Sequence, residues 1–91
     1  APGLRRVYIE VEGDQIETGL ATLPSVESVS RLDPIDTRKR YIVNLSGADD
    51  PRPDIFHLAT QKSWTLWDLH EERMRLEDVF HSLTVEDESK L

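Results

Sequence analysis

Residues 70–74 read HEERM, which begins like the helical zinc-protease motif. That motif needs a second histidine four residues after the first, so that both imidazoles reach one metal. Met74 stands there instead, so His70 lacks its partner. The remaining histidines, His57 and His81, come without cysteines or a spaced carboxylate cluster, which points to surface or boundary residues and to no metal ligands. Asp49 and Asp50 resemble a calcium loop only as neighbours, because the alternating oxygens and the closing glutamate are absent. Glu71 with Glu72 and Glu77 with Asp78 could in principle divide acid and base roles, yet adjacent carboxylates on a helix or turn read as a solvated face. No serine or threonine is marked out by a neighbouring base and orienting group. The four glycines, at 3, 13, 19 and 47, are scattered, and no Gly-Lys-Ser or Gly-Lys-Thr is present to cradle a phosphate. The expectation is a chain with no catalytic, cofactor-binding or metal-binding residue of its own, and hence not an enzyme.

The bulk composition agrees with a binding role. Ninety-one residues make one domain near the small end of what closes a single core without disulfides or metal. Hydrophobic residues at 37% and charged residues at 32% describe an ordinary soluble globular chain, and no apolar run approaches a membrane span. Eleven Lys and Arg against 18 Asp and Glu leave a formal charge of −7, which repels nucleic-acid phosphates and argues against a nucleic-acid partner. The absence of cysteine removes thiolate chemistry and leans towards the cytosol. The chain opens on Ala1, its one methionine is Met74, and residues 1–4 read as a linker, so a piece cut from a longer polypeptide is expected.

The elements that must position any site follow from periodicity. RRVYIEVEG alternates, with Val7, Ile9 and Val11 on one side and Tyr8, Glu10 and Glu12 on the other, which predicts a half-buried strand. Asp14 three residues before Glu17 resembles a capping box, and Ile16, Leu20 and Leu23 continue at helical spacing up to Pro24. Gly19 inside that helix costs about 1 kcal/mol relative to alanine, so it marks a candidate close approach. ESVSRLD and YIVNLSG read as a hairpin, with Tyr41, Val43 and Leu45 on one face and DPIDTRKR as the connection. The basic run Arg38, Lys39 and Arg40 then reads as a solvated hairpin tip. Asp50 and Pro51, or Pro53, can open a helix lined by Ile55, Leu58 and Ala59. SWTLWDL reads as the last strand, bounded by a charged turn HEERMR. Trp64 and Trp67, at i and i+3, point to opposite faces of it, one into the core and the other towards the open face or the C-terminal helix. Coverage by that helix is the favoured expectation, and an open-face ring, Trp67 above all, is the candidate interaction residue.

RLEDVFHSLT then places Leu76, Val79, Phe80 and Leu83 at i, i+3, i+4 and i+7, the stripe of an amphipathic helix. The expected fold class is α+β: a ferredoxin-like β-α-β-β-α-β sandwich with an additional C-terminal helix, spanning 5–84, followed by a frayed acidic tail at 85–91. Right-handed crossovers put the first and third strands in the middle of the sheet.

SWTLWDL, a charged turn and LEDVFHSLT together resemble the end of ATP-binding subunits of bacterial ABC exporters of the gliding-motility and multidrug type. Leu76, Glu77, Asp78, Val79, Phe80, Leu83 and Thr84 match the closing pattern of the accessory domain in that family, while Arg75 stands where serine is usual. The resemblance implies a non-catalytic C-terminal accessory or regulatory domain, with the ATPase motifs and the ATP and Mg sites lying upstream. It further implies, as partners, the ATP-binding domain of the same polypeptide and a membrane permease subunit, with a second copy as a further candidate. The implied location is cytoplasmic, peripheral to the inner face of the bacterial cell membrane. The competing expectation is a stand-alone small-ligand regulatory module of ACT-like, ferredoxin-like type, whose marker would be a glycine-bearing turn after the first strand, where Gly13 and Asp14 sit.

Overall fold

A computed structural model describes residues 4–74 as a small α+β domain. Its elements are β1 (Leu4–Glu12), α1 (Ile16–Ala21), β2 (Val26–Ile35), β3 (Arg38–Leu45), α2 (Arg52–Lys62) and β4 (Thr65–Met74). The strands form one antiparallel sheet in the order β2-β3-β1-β4, with the two helices on one face. The expected C-terminal helix and acidic tail, with Leu76, Glu77, Asp78, Val79, Phe80, His81 and Leu83, lie outside the described residues, as do residues 1–3 of the expected linker.

The alternation of β1 explains where the core sits. Val7, Ile9 and Val11 are all fully buried and pair across the sheet with residues of β3, Val7 opposite Val43 and Ile9 opposite Tyr41. Ile16 and Leu20 come down from α1, and Ile55, Leu58 and Ala59 from α2. Each fully buried Ile, Leu or Val stabilises the fold by about 1.5–3 kcal/mol relative to exposure, so this layer supplies the main cohesive force. At its far end Arg5 gives Nε to Glu71 at 3.0 Å and its outer nitrogens to the Gly47 and Asp49 carbonyls, tying the β3–α2 loop to the sheet. Asp50 accepts the Arg52 backbone N–H at 3.0 Å and its guanidinium at 2.7 Å, which holds the Asp50 carboxyl down at about 2 and fixes the entry to α2.

Three local expectations are corrected. The capping box does not form: Gln15, not Asp14, is the N-cap, in the left-handed region with φ 55° and with no side-chain hydrogen bond to the helix. The Asp14 backbone carbonyl accepts from Trp64 Nε1 at 2.9 Å. The basic run is no hairpin tip, because β2 and β3 are joined at Asp36–Thr37, with Asp36 at φ 54°, and Arg38, Lys39 and Arg40 lie half-buried inside β3. HEERM, finally, is strand and not turn, since β4 runs on to Met74 against the whole length of β1.

A bulge interrupts β4 before this stretch. Glu10 faces Asp68 while Val11 faces Leu66, which leaves Trp67 as an extra residue. A bulge of this kind resets the alternation, so Leu66 and Leu69, three apart, both pack against the core. In a regular strand such a pair would fall on opposite faces.

Trp64 plugs the end of the core next to α1. It is 8% exposed, and its ring lies on the backbones of Gly13 and Gly19. A Cβ at Gly19 would come within 2.7 Å of Trp64 Cη2, and one at Gly13 would collide with Trp64 Cδ1 while also having to adopt φ +151°. The close approach expected at Gly19 is therefore a tryptophan resting on a helix with no side chain in the way.

Candidate functional site

The face of the sheet turned away from the helices carries a connected polar and aromatic surface. On β1 it presents Arg6, Tyr8, Glu10 and Glu12, the residues that alternate with the core set. On β4 it presents Trp67, Asp68, His70 and Glu72, and Tyr8 faces His70 in the register. The bulge brings Trp67 onto this face next to Glu12, and its Nε1 donates to Glu12 Oε1 at 2.9 Å. Arg38 of β3 stacks its guanidinium 3.7 Å above the Trp67 ring and donates Nη1 to Glu10 at 3.0 Å.

The same Glu10 accepts the Tyr8 hydroxyl at 3.3 Å, and the Tyr8 ring stacks on His70 with centroids 5.1 Å apart. His70 stands between two carboxylates, with Asp68 3.2 Å from Nδ1 and Glu72 3.0 Å from Nε2. Glu72 and then Asp68 raise the His70 pKa above its ordinary value by hydrogen bonding, against a small desolvation effect. Arg6 extends the network, its Nε lying 3.4 Å from Glu72 as an ion pair without hydrogen-bond alignment. Thr37, from the β2–β3 turn, donates to Glu12 Oε1 at 3.0 Å.

Such an arrangement holds side chains in place more than it polarises a bond. Exposed ion pairs contribute only about 0–1 kcal/mol each, but here each charge also fixes an aromatic ring. Trp67 remains 50% exposed although its N–H and one π face are both engaged. Its ring thus offers apolar area in a set orientation.

Of the residues singled out by sequence, Trp67 belongs to this surface, and Trp64, on the other face, belongs to the core. His70 enters the network as a stacked and hydrogen-bonded side chain, whereas His57 is exposed on α2. The glycine-bearing turn after β1, where a small-ligand module would show its marker, is occupied by the Trp64 indole. Among the described residues no group of three or more His, Asp or Glu side chains could hold a metal ion, and no helix is long and apolar enough to cross a membrane. Tyr8, Glu10, Glu12 and Arg38 were not anticipated as a site. The signal available was that Tyr8, Glu10 and Glu12 share the outward side of a strongly alternating strand.

No protein-family model, curated protein or solved structure matches this chain.

Proposed function

We propose that the chain is a non-catalytic interaction domain of ferredoxin-like architecture, and that the open face of its sheet docks a protein partner. The β-α-β-β-α-β element order and the antiparallel order β2-β3-β1-β4 support that architecture. The docking reading is carried by Trp67, a half-exposed indole clamped by Arg38 and Glu12 before any partner arrives. Tryptophan, tyrosine and arginine are the residue types that most often anchor protein interfaces, and all three meet here within one network. Side chains already held in place lose less entropy on association, so a larger share of the contact energy appears as affinity.

The resemblance of residues 76–84 to the closing segment of exporter ATP-binding subunits supports a parent protein of that kind. In this reading the partner is the ATP-binding domain of the same polypeptide, and a permease subunit or a second copy is the further candidate. ATP and Mg bind upstream of this chain, and the assembly sits at the cytoplasmic side of a bacterial membrane. The reading frame that encodes the chain is the first test. It is expected to encode a P-loop ATPase directly upstream, and a stop codon or an unrelated domain there would remove the transporter assignment. Amide hydrogen exchange is the second test, comparing the isolated chain with the full-length polypeptide. Slower exchange confined to the Trp67 stretch of β4 and to Arg38–Arg40 is the expected result, and unchanged exchange there would remove the docking assignment.

A further inference from the structure

The helix-covered side of the sheet is unevenly covered. α1 is only six residues long, and at the corner where it meets β2 and β3 it leaves a cavity of about 260 Å³. Arg31 and Tyr41 are cross-strand partners on β2 and β3, and Lys39 precedes Tyr41 by two residues, so three donors share one wall of this cavity. Glu17 and Thr18 of α1 complete the lining used here.

Among the described residues, neither cation of this wall lies against a carboxylate. Arg5, Arg6, Arg38 and Arg52 each lie against a carboxylate. Among the described residues Arg31 forms no ion pair or hydrogen bond, and Lys39 makes only one, from Nζ to the Gly13 carbonyl at 2.8 Å. Tyr41 is 3% exposed, and its hydroxyl has no hydrogen-bond partner among the described residues but still opens to solvent at the cavity. The hydroxyl is therefore free to donate into the cavity, and two cations on one wall favour an anion there. One oxygen-bearing anion meets both.

We propose that this corner binds a small oxyanion, the carboxylate or phosphate of a metabolite-sized ligand, between Arg31 and Lys39, with the Tyr41 hydroxyl donating to it. The site is independent of the docking face, which lies on the other side of the sheet. Burial, and after it the Glu17 charge, holds the Tyr41 hydroxyl above its ordinary pKa against the opposing effect of Arg31, so it stays a donor at neutral pH. Two cations against one carboxylate leave the lining net positive inside a chain of formal charge −7, so the attraction is local and salt-sensitive.

The test is a titration of the whole 91-residue chain, followed by ¹H–¹⁵N spectroscopy, with sodium acetate and separately with sodium phosphate, sodium chloride serving as the ionic-strength control. Saturable shifts at the Arg31, Lys39 and Tyr41 amides with at least one oxyanion, absent with chloride, are expected, and the anion that binds more tightly identifies the ligand class. Arg31→Ala, on an exposed position, is expected to weaken the apparent affinity about tenfold, in line with loss of one charge-assisted hydrogen bond. Tyr41→Phe keeps the ring in the core and is expected to weaken it by a smaller factor. Non-saturating shifts, equal shifts with chloride, or Arg31→Ala binding as tightly as the parent chain would overturn the site.

Discussion

On the open face Arg6 lies 3.4 Å from Glu72, Arg38 lies 3.0 Å from Glu10, and Arg40 gives Nε to the Asp33 carbonyl at 2.7 Å. Behind the same strands, at the α1 corner, Arg31 has no such partner among the described residues, and Lys39 has one carbonyl. Lys39 sits between Arg38 and Arg40 in β3, so adjacent residues of one basic run are sent by the pleat to surfaces of opposite character. A face whose charges already satisfy one another presents shape, here the Trp67 ring and the Tyr8–His70 stack. A corner whose charges are unsatisfied presents potential. The first suits a protein surface and the second a small charged ligand, which is why the two proposals are assigned to different sides of one sheet.

The largest effect is expected from removing the indole that closes the core beside α1. Trp64→Ala is expected to cost about 3–5 kcal/mol, read as a lowered urea midpoint, because it empties the space over Gly13 and Gly19 and frees the Asp14 carbonyl. Next comes Gly19→Ala. Helix propensity favours alanine there by about 1 kcal/mol, but a Cβ 2.7 Å from Trp64 Cη2 is overpacked, which costs about 1–3 kcal/mol. A net loss of stability is therefore expected, and a net gain would mean that the indole does not rest on α1.

Smaller effects belong to the open face. Arg38→Ala removes the stack on Trp67 and the pair with Glu10 together, and about 1 kcal/mol of destabilisation is expected for that partly exposed position. A double-mutant cycle with Trp67→Ala should return a coupling of about 0.5–1 kcal/mol, whereas additive effects would show the ring to be unclamped. The smallest effect is that of His70, whose folded pKa is raised by Glu72 and Asp68. A raised value means that the stabilisation is complete below the unfolded value near 6.5 and is lost as pH rises through the folded value. His70→Gln should flatten the stability profile in that window, and an unchanged slope would show that the two carboxylates do not hold the ring.

How far the sequence led can be judged element by element. Val7, Ile9 and Val11 were legible because strict alternation has one meaning in a half-buried strand, and Ile55, Leu58 and Ala59 because a proline-led segment at helical spacing does too. The start of α1 was misread because a capping box is a local pattern, and here Gln15, in the left-handed region, stands at the N-cap one residue beyond Asp14. HEERM looked like a turn because charge was taken for solvent exposure. In the fold Glu71 receives Arg5 while His70 and Glu72 form the outer row of a long edge strand. The bulge at Trp67 leaves no mark in residue type, although Leu66 and Leu69 flanking it are the trace it leaves in spacing. Of the candidate site only Trp67 was named in advance. Its companions come from β1 and β3, and the pairing that assembles them exists only once the sheet has formed.

The two tryptophans of the chain lie one on each face of the sheet, so their indole N–H signals report separately on the proposed docking surface and on the core. A titration of the ¹⁵N-labelled chain with the ATP-binding domain proposed as its partner is therefore the most direct measurement. The account predicts that the Trp67 signal shifts or broadens saturably while that of Trp64 stays in place. A Trp67 signal unmoved at saturating partner, whatever Trp64 does, would contradict it.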